Sequence, residues 1–395
     1  MTVFRGTFLD TPRSPFTGGH LRAEADLALV VEHGVIVARE PYTPSVHGTD
    51  VVDLRDGLVL PGFVDTHVHY PQVRAIGGLG LPLLDWLEKC ALPEEARLAD
   101  ATYAASVATD FVSGLARAGT TTALVFGSHF PGAVDALFTE AARVGLRVTS
   151  GLVLSDRILR EDLFTTPERA YTEGLLESAG ALLADQADLW FTSHLNENIE
   201  EIEGVRQLFG CDYTTSYDRA GLLGPRSVLA HNVHPTLPEL MSLGQRGAAV
   251  AHCPTSNAAL GSGLFPLGSH LALGVRVGLG SDVGAGTGFS LFKEGLQAYF
   301  VQQLLGRDGH KLAARHLLHL ATAAGADVLG LSDVIGDFSV GKEFDALWLR
   351  PGPGSTLEVA LRHADSHDDA LAKVFALAGP ADVAATWVSG DQLLS

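Results

Sequence analysis

The pattern of apolar and polar positions changes character twice along the chain. Residues 1–60 read as β. Ala25–Val31 and Val35–Arg39 are apolar runs joined through Glu32-His33-Gly34, which predicts a hairpin, and Val51–Leu54 and Leu58–Leu60 predict further short strands. From Pro61, short apolar runs alternate with Ala/Leu-rich helical stretches. The predicted strands are Gly62–Asp65, Thr121–Phe126, Arg147–Leu154, Leu189–Ser193, Val228–Ala230, Ala248–Ala251 and Val275–Leu279. Helices are predicted over Ala101–Ala118, Gly132–Val144 and Thr236–Leu243. Such alternation implies a parallel sheet covered by helices, and with this many units a closed (β/α)8-type TIM barrel is the first choice. After about residue 335 the pattern returns to β, at Glu343–Leu349 and Thr386–Ser389. The expected architecture is α/β: a barrel over residues 61–339, and a small composite β-sandwich built from residues 1–60 and 340–395.

Composition narrows the partners. Apolar residues make up 46% of the chain and the formal charge is −19, so a core can form and a phosphate backbone is repelled. No nucleic acid is expected. No apolar run reaches spanning length and the first residues lack a leader pattern, so no membrane is expected either. Cys90, Cys211 and Cys253 are odd in number and far apart, which excludes a disulfide framework and fits a reducing cytoplasm.

Polar residues gather where the predicted strands end, the rim at which barrel enzymes place their chemistry. The first strand runs into Asp65-Thr66-His67-Val68-His69, and alternation puts both imidazoles on one side. An isolated His-x-His is more often a hydrogen-bonded strand end than a metal site. Three further strand ends change that balance. Leu189 leads into Ser193-His194-Leu195-Asn196-Glu197, Val228 into Ala230-His231, and Val275 into Gly280-Ser281-Asp282. Neutral imidazoles and a carboxylate hold a divalent ion while leaving room for water, the requirement of a hydrolytic metal site. Glu197, three residues past His194, suits a carboxylate that moves protons; alone it would read as a helix N-terminal glutamate. No lysine lies between Lys89 and Lys293, so no mid-barrel lysine can bridge two ions, and one metal is favoured.

These residues resemble the amidohydrolase superfamily and, within it, the guanine deaminases, over nearly the whole chain. The resemblance rests on Pro61-Gly62-Phe63-Val64-Asp65-Thr66-His67-Val68-His69-Tyr70-Pro71-Gln72, on Leu81–Leu87 with Leu92–Glu95, and on Ser193–Asn198, His252–Asn257 and Ser281–Gly286. It implies that His67, His69, His194 and Asp282 bind one zinc per chain; iron(II) is left open. It implies that Glu197 shuttles protons, that His231 orients the attacking water, and that Gln72 contacts the base, with Leu83 and Trp86 in the loop over the pocket. Asp282 would also accept a proton. The implied reaction is water attack on the amino-bearing carbon of guanine, then loss of ammonia to give xanthine. The substrate would be a small purine base and the assembly a homodimer.

The chain departs from that family at one place. Leu154 and Leu189 are separated mainly by one helix-like stretch, Pro167–Ala184, and no Pro-Arg-Phe run follows the third strand. Seven strands are counted rather than eight: either a strand hides in an atypical segment or one β/α unit is absent, with Arg157 and Arg160 in the shortened region. Two alternatives follow: deamination of another aminopurine, pterin or triazine, or a non-catalytic binding homologue. The remaining candidates read blandly. His129 is expected at the rim, and His252 as a structural neighbour of the site. His310, His316 and His319 are packing or surface residues, Cys253 a buried thiol, and Phe289 and Phe292 core. Gly280–Gly288 lacks the lysine of a phosphate loop.

Overall fold

The computed structural model describes residues 1–48, 50–154, 173–186 and 188–394. Chain order begins with β1 (Thr2–Asp10), β2 (Arg22–Glu32), β3 (Val35–Pro41), β4 (Val52–Asp53) and β5 (Leu58–Pro61). The predicted hairpin is β2–β3, and its turn carries positive φ at His33 (49°) and Gly34 (82°), the twist that two-residue hairpins require. The parallel strands follow: β6 (Phe63–His69), β7 (Thr120–Ser128), β8 (Arg147–Leu152), β9 (Phe191–Leu195), β10 (Ser227–His231), β11 (Ala249–His252) and β12 (Arg276–Leu279). The chain closes with β13 (Ala346–Leu349), β14 (Val383–Val388) and β15 (Asp391–Gln392).

Strands from both termini join in one eight-stranded ladder, ordered β15-β14-β13-β5-β1-β2-β3 with β4 beside β1. Hydrogen bonding is therefore continuous along this order, and the sheet curls. In the ladder β1 and β14 are separated by β5 and β13, roughly 14 Å in a flat sheet at about 4.8 Å per step. Yet the rings of Phe4 and Trp387 lie 5.7 Å apart, over a shared core with Phe344 and Phe338.

The parallel strands form two ladders, β6-β7-β8 and β12-β11-β10-β9. They meet at β6 and β12, where Thr66 Oγ1 donates to the Leu279 carbonyl (2.9 Å) and the Asp282 amide to the His67 carbonyl (2.9 Å). Among the described residues, β8 and β9 have no ladder between them. Every residue of β6, β10 and β11 is buried, while β8 contains no buried residue and β9 only Leu195. Arg147, at the start of β8, bonds to Asp345 and Glu343 (2.6 Å each) and so ties this strand to the terminal sheet.

Helices cover the strands. They include α1 (Ala101–Arg117), α2 (Pro131–Val144), α3 (Glu173–Asp185), α4 (Ile199–Phe209), α5 (Tyr213–Arg219), α6 (Leu237–Arg246), α7 (Pro254–Ala259) and α8 (Leu291–Leu304). Their ends follow capping chemistry. Asp100 accepts from the amides of Thr102 and Tyr103 at the start of α1, and Gly145 ends α2 at φ 89°. The region holding Arg157, Arg160 and the first part of Pro167–Ala184 lies outside the described residues; α3 occupies its last part. No helix among the described residues is long and apolar enough to cross a membrane.

Candidate active site

The metal-ligand candidates come from three strand ends. On β6, His67 and His69 point the same way, and their Nε2 atoms lie 3.1 Å apart. His194 Nε2, on β9, is 3.3 Å from that of His69. Asp282, just past β12, places Oδ1 3.2 Å from His69 Nε2 and 3.4 Å from His67 Nε2. A tetrahedral ion with bonds of about 2.0–2.1 Å has edges of roughly 3.3 Å between ligand atoms. The spacings therefore fit one divalent cation. They fit nothing else well, because a neutral imidazole has one N–H and these nitrogens cannot all be donor–acceptor pairs. His231 Nε2, at the end of β10, sits 3.9 Å from Asp282 Oδ2 and 3.5 Å from Glu197 Oε2.

The local backbone is held in unusual conformations. Asn196, His231, Asn232 and Asp282 all have positive φ (47°, 70°, 46° and 48°). Non-glycine residues adopt this region at a cost, and surrounding bonds must hold them there. Asp65 supplies one such clamp, accepting from the Ser281 amide (3.0 Å), Ser281 Oγ (2.5 Å) and the His67 amide (3.2 Å). It thereby ties β6 to the turn that carries Asp282. Asn196 donates to Asn232 Oδ1 and to Glu239 Oε1. Glu239 also caps α6 through Thr236 and accepts from Thr214.

Charge is tuned by the same burial. Desolvation lowers His67 to about 4 and takes His194 well below its ordinary value, so both imidazoles are neutral. Burial opposes ionisation of Asp282, but bonds from His67 and His69 outweigh it and hold the carboxyl well below the usual range. Glu197 is pushed up to about 8 by burial, then by Asp282, against a single bond from Ser262. One carboxylate is thus fixed as an anion beside another that can carry a proton.

Several residues the sequence reading gave no role join the site. Asn257 Oδ1 is 2.9 Å from His231 Nδ1; an N–H donated there leaves Nε2 facing the cavity as an acceptor. Its one sequence signal is the His252–Asn257 run. Ser262 Oγ donates to Glu197 Oε1 (3.3 Å), and Glu95 Oε1 accepts from Gln72 Nε2 (2.8 Å), which is also 3.3 Å from His69 Nδ1. The Phe126 ring packs on His69, His194 and His67 at 4.8, 4.9 and 5.3 Å. These partners are separated widely in sequence and carried no pattern.

A cavity of about 700 Å³ opens from this cluster. Gln72, Leu83, Trp86, His129, His194, Glu197, His231 and Asp282 line it together with Leu152, Leu154, Leu176 and Ala179, and Leu83 and Trp86 are themselves buried. The other candidates fall outside the chemistry. His252 is buried against Phe265 (ring centroids 4.2 Å). Phe292 is buried against Phe63 and Phe375, and Phe289 packs on Phe111. His310, His316 and His319 surround Phe16. Burial takes the Cys253 thiol well above its ordinary pKa, leaving it a poor nucleophile.

Comparison with known proteins agrees with this geometry. The model of the Amidohydrolase family matches residues 58–393. The chain is 54% identical to the probable guanine deaminase of Deinococcus radiodurans over 429 aligned positions, covering 99% of this chain and 98% of that protein. The structure of Escherichia coli guanine deaminase superposes with a TM-score of 0.95 at 33% identity, covering all of both chains. Guanine deaminase from C. acetobutylicum, solved with guanine in its active site, superposes at 0.91 with 26% identity, again over all of both chains.

Proposed function

The chain belongs to the amidohydrolase family, and on that premise we propose that it hydrolyses guanine to xanthine and ammonia. The observation that carries the reading is the convergence of His67, His69, His194 and Asp282 at metal-ligand spacing, beside Glu197 and Gln72 on one cavity. The resemblance to guanine deaminases over nearly all of the chain supports the substrate.

His67, His69, His194 and Asp282 would hold a single zinc ion. A divalent cation there lowers the pKa of a coordinated water toward neutrality. Glu197 would take one proton from the attacking water and pass it to the ring nitrogen beside the amino-bearing carbon, then take the second from the hydroxyl of the adduct and pass it to the leaving amine. His231, fixed by Asn257, presents Nε2 to orient that water, and Asp282 stays anionic opposite it. The C–O bond forms first and the C–N bond to the amino group breaks as the adduct collapses, so one water is consumed for each ammonia released. Gln72, held by Glu95, faces the base, with Leu83 and Trp86 beside it. The wider reading adds a homodimer and a cytoplasmic setting, on the resemblance and the cysteine usage.

The fold reading is part of the proposal. Residues 61–339 form a TIM barrel, with seven of its strands among the described residues, and residues 1–60 with 340–395 form the composite β-sandwich domain. Support comes from the parallel ladders β6-β7-β8 and β12-β11-β10-β9 and from the terminal strands that share one sheet. The leucines that line the cavity favour a second reading, in which another aminopurine, pterin or triazine is the better substrate. Turnover of guanine by purified protein, with metal quantified per chain, tests the first reading. A panel of amino-heterocycles tests the second. No ammonia from folded, metal-loaded protein sinks the first; guanine ranking best ends the second.

A further inference from the structure

We infer that Ser262 is a positioning residue for the deamination: its hydroxyl holds one oxygen of Glu197 so that the other faces the attacking water. The inference rests on the guanine reading above. Glu197 has a flexible side chain whose carboxyl is buried at the wall of the cavity. Among the described residues, Ser262 Oγ is the one side-chain group that donates a hydrogen bond to it, at 3.3 Å to Oε1. Oε2 then meets His231 Nε2, 3.5 Å away. The N–H of His231 is given to Asn257, so both of these atoms are acceptors. A donor with two O–H groups satisfies both, and a water about 2.8 Å from each spans that gap.

Ser262 is itself held at both ends of its peptide unit. Its amide donates to the Asn257 carbonyl (2.8 Å), and its own carbonyl accepts from His234 Nε2 (2.6 Å). The next residue, Gly263, has φ 135°, and a Cβ there would meet Val233 Cγ1 at 3.0 Å. A serine hydroxyl commonly bonds to backbone within about four residues of itself. This one instead reaches a carboxyl 65 residues away in the chain. Asn257 therefore serves both halves of the chemistry, with its side chain on His231 and its carbonyl under Ser262. Ser262 is 4% exposed and is not among the residues that line the cavity, so it acts on the substrate only through Glu197. Without its hydroxyl the carboxyl is free to turn, and a reacting group misplaced by about 1 Å costs on the order of a hundredfold in rate.

Ser262→Ala separates this from a packing role. The change is made in wild type and in the Glu197→Gln background, and guanine turnover, metal content and Tm are measured on metal-loaded protein. In wild type, kcat is expected to fall about ten- to a hundredfold with KM within about threefold, because no contact with the base is lost. Metal content should hold, and Tm should move by no more than about 4 °C. In the Glu197→Gln background the same change should cost less than about twofold, since the group that Ser262 aims no longer carries a proton. A serine that only packs would cost the same factor in both. Ser262→Cys, nearly the same shape with a weak donor, serves if the alanine variant does not fold, and its kcat should fall about tenfold. A kcat within about threefold of wild type, or an equal loss in both backgrounds, would overturn the inference. Wild type inert toward guanine would overturn the reading beneath it, and the inference with it.

Discussion

Glu197→Gln is the sharpest perturbation of the proposed chemistry. Glu197 is 3% exposed, accepts from Ser262 Oγ at 3.3 Å and sits 3.5 Å from His231 Nε2. Glutamine has the same shape and can keep the Ser262 bond through its carbonyl oxygen. It adds no volume and leaves no cavity, so stability should change by no more than about 1 kcal/mol. The ion cluster should also survive, because its 3.1–3.4 Å spacings are set by His67, His69, His194 and Asp282. What is lost is the ability to carry a proton. General acid–base catalysis contributes about 10²- to 10⁴-fold, so kcat should fall by that factor, roughly 3–5 kcal/mol of barrier. Ammonia release from guanine measures the rate and metal analysis measures occupancy, on the same preparation. A kcat within tenfold of wild type would refute Glu197 as the proton carrier. Loss of the metal would show that its carboxylate is a ligand instead.

Three further outcomes are expected. Asn257→Leu removes the acceptor that fixes His231 Nδ1–H, and kcat/KM should fall about 10- to 100-fold with metal retained; an unchanged value would show that Asn257 does not set that ring. Stripping the ion with a chelator should abolish turnover and lower Tm, because the clustered imidazoles then lose their shared partner; a Tm unmoved by chelation and by zinc addition would argue against a site coupled to folding. Burial pushes the Glu294 carboxyl, which accepts from the Thr255 amide and hydroxyl, up to about 8 from 4.5. It therefore holds its proton more tightly folded than unfolded. The stability this gives is complete below about pH 4.5 and is lost as pH rises through 8. Glu294→Gln should gain Tm relative to wild type between those values, and a difference constant with pH would contradict the assignment.

The chain announced its chemistry because that chemistry demands particular residue types at strand ends. His67 and His69 were legible through the two-residue alternation of an extended strand. His194, Glu197, His231 and Asp282 stood out as polar breaks after apolar runs. The hairpin at His33-Gly34 was legible for the same reason, as a local turn between two runs. Such features are short-range and survive in a one-dimensional reading. The shortened stretch between Leu154 and Leu189 was legible too, but the cavity lined by residues of β6, β7, β9 and β10 exists only once those strands have packed together. The same holds for Asn257 against His231 and for Phe126 packed among the imidazoles. Local spacing fixes which side a residue takes on its own strand. Which distant group it meets, and which it fails to meet, depends on how those strands and helices pack together.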